Sequence, residues 1–145
     1  MKKILLTGLS FAMATGLFAQ TFSDNFDSYT TGTELTIASA DWTTWTPATP
    51  TEDVLISSAD AASGANSLYF SSTGGGPVDI ILPFSQIYNS GQFSFEANFN
   101  VETGKGAYFN LQGTLIAAEV WAMDCFMLDD GTIKLSNQGT PYITS

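Results

Sequence analysis

Five side chains in the middle of this chain could meet a hydroxyl-rich ligand: Glu96, Asn98, Tyr108, Asn110 and Gln112. A carboxylate and amides can orient hydroxyl groups, and an aromatic ring can lie against the C–H face of a sugar. Few other tools are present. The chain has no histidine and one cysteine, Cys125. Ser-His-Asp chemistry, Cys-His chemistry and His-ligated zinc are therefore excluded by inventory. Carboxylates remain. Two of them on one face could serve as acid and nucleophile at a glycosidic bond. In a regular strand, same-face placement requires an even spacing. Glu119 and Asp124 are an odd distance apart and point to opposite faces unless a bulge intervenes. Glu96 has no acid at positions 94, 98 or 100, and Asp129 and Asp130 fall in a turn. No catalytic residues are assigned, and the expectation is a protein that is not an enzyme. Calcium takes roughly six to eight oxygens. Asp24 with Asp27, or Asp129 with Asp130, could contribute some, but no metal-binding spacing is present. Calcium is the one cofactor left open, and no metal ligands are assigned.

The elements that must position the five residues read as strands. Gln92 to Val101 alternates without a break: Phe93, Phe95, Ala97, Phe99 and Val101 share one face, and Ser94, Glu96, Asn98 and Asn100 the other. Gly106 to Gln112 repeats the pattern, with Ala107, Phe109 and Leu111 opposed to Tyr108, Asn110 and Gln112. Thr103-Gly104-Lys105-Gly106 makes the turn, so the two segments are expected to pair as a hairpin. Leu115 to Leu128 is apolar on both faces and reads as a central strand, or as two strands joined by a bulge. Within it, Trp121 is expected to pack into the core and Cys125 to be a buried thiol. Asp129-Asp130-Gly131 suits a tight turn, and Thr132 to Ser136 returns as a strand. Upstream, Phe22 to Tyr29, Val54 to Ser58, Asn66 to Ser71 and Val78 to Leu82 are strand candidates. Ser72 to Pro77 is a loop, and Asp60 to Gly64 is a turn or one turn of helix. Trp42 and Trp45 diverge in an extended strand, with at least one directed into the core. Pro141 to Ser145 resembles the opening of another strand. No segment after residue 20 sustains a helical period. Short strands with frequent turn signals imply an all-β sandwich or jelly roll.

The first twenty residues carry a different message. Lys2 and Lys3 precede an apolar run from Ile4 to Ala19. That run is shorter than the roughly 20 residues that cross a bilayer core of about 30 Å. A positive start, a short apolar stretch and a small residue at the cut describe a secretory signal peptide over residues 1–20, cleaved after Ala19. The residue directly after the cut is Gln20 and not cysteine, so a lipid anchor is not supported. The remainder, residues 21–145, forms one domain. It keeps only Lys105 and Lys134 against 14 carboxylates, a formal charge of −12. Nucleic acid needs lysine and arginine to displace its counterions, so no nucleic-acid partner is expected. Neither is membrane insertion after the signal is removed.

Phe22-Ser23-Asp24-Asn25-Phe26-Asp27-Ser28-Tyr29 resembles the opening strand of concanavalin A-like (laminin-G-like) jelly rolls in secreted Bacteroidetes-type proteins. Asp41-Trp42-Thr43-Thr44-Trp45 and Ala62-Ser63-Gly64-Ala65-Asn66-Ser67-Leu68-Tyr69-Phe70 are similar to two further segments of that family. Gly91 to Phe99 and Gly106 to Gln112 look like its two long central strands. The resemblance implies a concanavalin-like β-sandwich. It also implies a protein that usually carries a C-terminal type IX sorting domain, which this sequence does not show. The closing strands expected beside Phe22 to Tyr29 are missing as well. Ser85 stands where relatives place glycine. The expectation is thus a jelly roll incomplete at its C-terminus, in a fragment of a longer product. One glycoside-hydrolase group shares the fold, but its paired carboxylates are not matched here. The reading that follows is a secreted or cell-surface non-catalytic binding module, with glycans or cell-surface polymers as partners in adhesion. The alternatives are a structural spacer module of a larger type IX-secreted protein and a degenerate glycoside hydrolase.

Overall fold

A computed structural model describes residues 22–71, 78–88, 90–116, 119–137 and 140–144. The signal peptide expected over 1–20 and the loop expected over 72–77 lie outside them. The regular elements of the described residues are mostly strands in antiparallel sheets with almost no helix, an all-β protein. Among them no helix is long and apolar enough to cross a membrane.

The first part of the chain is built around a knot of side chains. Phe22 to Tyr29, a strand candidate by sequence, is not a strand. Asp24 accepts the Phe26 N–H at 2.9 Å, and Asn25 accepts the Asp27 N–H at 3.2 Å. Short polar side chains that capture the backbone two residues on compete with a ladder. Phe26 adopts φ +62°, which no strand allows. The knot closes on the Ser63–Asn66 segment. Asp27 accepts the N–H groups of Ala65 (2.7 Å) and Asn66 (3.0 Å). The buried Asn66 amide donates to the carbonyls of Phe26 and Tyr29 and accepts from Thr31.

A one-turn helix, α1 (Leu35–Ala38), follows, then β1 (Thr43–Thr44), β2 (Leu55–Ser57), β3 (Ser67–Tyr69) and β4 (Ile80–Ile81). β2 pairs antiparallel with β3, and β1 with β4. Val54 and Ile56 share one face of the β2 segment, and Leu55 turns outward. With Leu35 they form a small core, none of the three more than 1 % exposed. The Leu35 N–H reaches the Val54 carbonyl at 2.9 Å, which ties α1 to β2. Trp42 and Trp45 are both half-buried. Trp42 packs edge-on against Phe22 at 6.0 Å and donates its indole N–H to Asp24 at 3.2 Å.

Asp79, just before β4, is half-buried near Glu52. Burial first, and the Glu52 charge second, hold its carboxyl above the ordinary value of 3.8. A raised value in the fold favours the protonated form. Its contribution to stability is present below the ordinary carboxylate range and is lost as pH rises through the raised value. Asp79→Asn is therefore expected to gain a few tenths of a kcal/mol in urea unfolding at neutral pH. The gain is small because water screens a half-buried carboxylate. It should vanish below about pH 3, where both states are protonated.

The second part is a four-stranded antiparallel sheet in the order β5 (Ala107–Gln112), β6 (Trp121–Met127), β7 (Ile133–Asn137) and β8 (Thr140–Thr144). The turn between β6 and β7 sits where Asp-Gly predicts it. The Leu128 carbonyl accepts the Gly131 N–H at 3.0 Å, and the Leu128 N–H reaches the Thr132 carbonyl at 2.9 Å. Gly131 takes φ +84°, as a three-residue hairpin requires. The Asp130 carboxylate accepts the Thr132 N–H, which holds its carboxyl below the usual range. The register sets Phe109 opposite Cys125 and Cys125 opposite Leu135, an apolar face. Cys125 is buried there, and burial pushes its thiol up. Leu115 to Leu128 is not one long strand: Leu115 and Ile116 precede β6 and are 58 % and 65 % exposed.

The expected hairpin between Gln92–Val101 and β5 forms only at its turn. The Lys105 N–H reaches the Glu102 carbonyl at 3.0 Å, with Gly104 at φ +75°. Residues 92–101 make no ladder with β5. Phe95 and Phe99 are about 13 Å apart along an extended chain, yet both rings gather on Phe109, at 5.2 and 5.1 Å. In a ladder each would face a different residue of β5. Ring stacking has taken the place of backbone pairing.

Candidate ligand-binding face

The face of the sheet opposite Cys125 carries the polar and aromatic residues. β5 places Tyr108 and Asn110 on it, and Phe126 and Asp124 of β6 lie directly opposite them. β7 adds Lys134 opposite Phe126 and Ser136 opposite Asp124. Alternation carries Tyr108 and Asn110 to this face, as the sequence predicts.

Hydrogen bonds join these residues into one network. The Tyr108 hydroxyl donates to Asp124 Oδ1 at 2.6 Å and accepts from Asn110 Nδ2 at 3.1 Å. Ser136 Oγ donates to the other oxygen, Asp124 Oδ2, at 3.1 Å. Burial, and then the hydrogen bond to Asp124, raise the Tyr108 hydroxyl above the ordinary tyrosine value. It therefore remains a donor at neutral pH. Its ring lies 4.7 Å from that of Phe126, tilted by 37°, and the two residues are 46 % and 41 % exposed. Beside them a shallow, open depression of about 450 Å³ is bounded by Gly106, Ala107, Leu128 and Asp129.

Trp121 reaches this face through a bulge. Leu111 faces Met123, and Gln112 faces Trp121, so Ala122 is the extra residue. An extra residue shifts the alternation of the bulged strand. Trp121, expected in the core, is instead 36 % exposed, on the face that carries Tyr108. Gln112 stands opposite it at the end of β5.

Glu96 and Asn98 are exposed on the segment that does not pair with β5, so no ladder carries them to Tyr108. Of the five expected residues, hydrogen bonding unites Tyr108 and Asn110. Asp124, Phe126, Ser136 and Trp121 were not in the expected set. A register counted back from the Asp-Gly turn would have found Ser136 opposite Asp124. The bulge that delivers Trp121 has no such local signal.

The carboxylates of Asp24 and Asp27 are committed to internal donors. Asp24 accepts from Tyr29 (2.7 Å), Trp42 and the Phe26 N–H. Asp27 accepts from Ala65, Asn66 and Asn25. Among the described residues no three acidic or sulfur side chains gather as a metal site would require. Glu119 precedes β6 and is exposed, so the bulge does not set it beside Asp124 on one strand. No family model matches the chain, and no curated protein or solved structure matches it.

Proposed function

We propose that the protein is a secreted or cell-surface non-catalytic binding module and that the Tyr108–Phe126 face holds a carbohydrate. In this reading residues 1–20 direct export, and the all-β part belongs to a concanavalin-like sandwich. The observation that carries the proposal is the exposed Tyr108–Phe126 ring pair, set in a network of amide, carboxylate and hydroxyl groups. Two tilted rings offer a sugar's C–H face an apolar seat. Asn110 uses one amide hydrogen on Tyr108 and keeps further capacity to orient a hydroxyl. Asp124 is held on both oxygens, so it fixes the seat and does not act as a free base.

A glycan array probed with the whole chain should show signal, and affinity for the best ligand should fall at least tenfold in Phe126→Ala. Tenfold corresponds to about 1.4 kcal/mol. Phe126 is exposed and hydrogen-bonds to nothing through its ring, so its removal leaves the network intact. A silent array, or affinity unchanged in Phe126→Ala, overturns the proposal. Reducing-sugar release lost in Glu119→Gln would replace it with the hydrolase reading.

A further inference from the structure

The stretch 92–101 packs its rings on Phe84, Tyr88 and Phe109 and leaves its backbone without a described partner. Its backbone makes no hydrogen bond to any described residue. Phe93, Phe95 and Phe99 are 50 %, 45 % and 50 % exposed. A row of unpaired N–H and C=O groups is a template for another strand. The order of residues says which strand fits. Outward from Ala97, the odd positions give Phe95 and Phe99, then Phe93 and Val101. The even positions give Glu96 and Asn98, then Ser94 and Asn100, then Gln92 and Glu102. The pattern reads nearly the same in both directions.

We propose that two copies of this chain pair antiparallel through residues 93–101, about a two-fold axis at Ala97. In that register Ala97 faces its own counterpart. Phe95 of each copy faces Phe99 of the other, and Phe93 faces Val101. Cross-strand aromatic pairs of this kind stabilise a sheet. An interface that maps onto itself is what a two-fold dimer needs. Charge permits this register and excludes one neighbour of it. Glu96 faces Asn98, and Glu102 faces Gln92, so no two carboxylates meet in a chain of net charge −10. Sliding the axis to Glu96 would set carboxylate against carboxylate, which is destabilising. This interface stands apart from the Tyr108 face and does not depend on what that face binds.

Site-directed cross-linking tests it on the whole chain. Directly opposed residues have Cα atoms about 4.5 or 5.5 Å apart, within the roughly 4.4–6.8 Å that a disulfide accepts. Under mild oxidation Ala97→Cys should give a reducible dimer at least tenfold faster than Ser94→Cys, whose counterparts would lie about 20 Å apart. Glu96→Cys mixed with Asn98→Cys should cross-link, and neither should alone. Cys125 can stay in place, because it is 5 % exposed and its thiol is raised by burial. Equal rates at 97 and 94 would overturn the proposal. So would exchange-protected amides over 92–101 in a species that sediments as a monomer, because the segment would then be pairing within its own chain.

Discussion

A Gly64→Ala variant is expected to lose about 3 kcal/mol of folding stability or more, read as a lower urea midpoint at unchanged slope. Two effects add. Gly64 sits at φ +67°, where an alanine costs roughly 1–2 kcal/mol. Its Cβ would also overlap the Asp27 carboxylate. That carboxylate cannot step aside freely, because it holds the N–H groups of Ala65 and Asn66. Hydrogen bonds to a charged group contribute about 1.5–3 kcal/mol each, and at least one would be given up. Gly32→Ala is the control. Gly32 has φ +84° with nothing near its would-be Cβ, so only the conformational cost should appear. Equal losses in the two variants would show that Asp27 does not hold this turn.

Ile56→Ala is expected to cost about 3–4 kcal/mol, the range for truncating a buried isoleucine whose surroundings relax only in part. Ile56 is 1 % exposed and lies opposite Leu68 in β3. Its own N–H and C=O bind Thr33 and Gly32, so the backbone around the cavity is fixed. Leu55→Ala, one residue away on the outer face and 43 % exposed, should cost under about 1 kcal/mol. Thermal or urea unfolding of the pair measures the difference. Similar losses would mean that the inward face of β2 is misassigned.

Local signals were legible in the sequence and non-local ones were not. The Asp-Gly turn needs only neighbours, and it forms where it was expected, between β6 and β7. β2, β3 and β4 fall inside their expected segments for the same reason. Phe22 to Tyr29 misleads because its aromatic residues suit a strand while its Asp and Asn side chains bond the backbone first. Gln92 to Val101 has the cleanest period of all. Period assigns faces and says nothing about partners, and here the rings chose Phe109 over a ladder. For the candidate face, Tyr108 and Asn110 follow from alternation within β5. Asp124 and Ser136 arrive through cross-strand register, and Trp121 through one extra residue at position 122. Glu96 and Asn98 depended on the hairpin and separate from the others with it.

The placement of the lysines has a consequence for the life of this protein among proteases. Beyond residue 3 the chain offers trypsin-like enzymes only Lys105 and Lys134, and it has no arginine. Lys134 lies inside β7, with a strand paired on either side, where a cleft that needs extended, unpaired substrate cannot seize it. Lys105 stands on the exposed turn before β5. Digestion therefore begins as a single nick after Lys105, which parts the Phe-rich stretch from the sheet that carries Tyr108 and leaves the ladder of that sheet uncut.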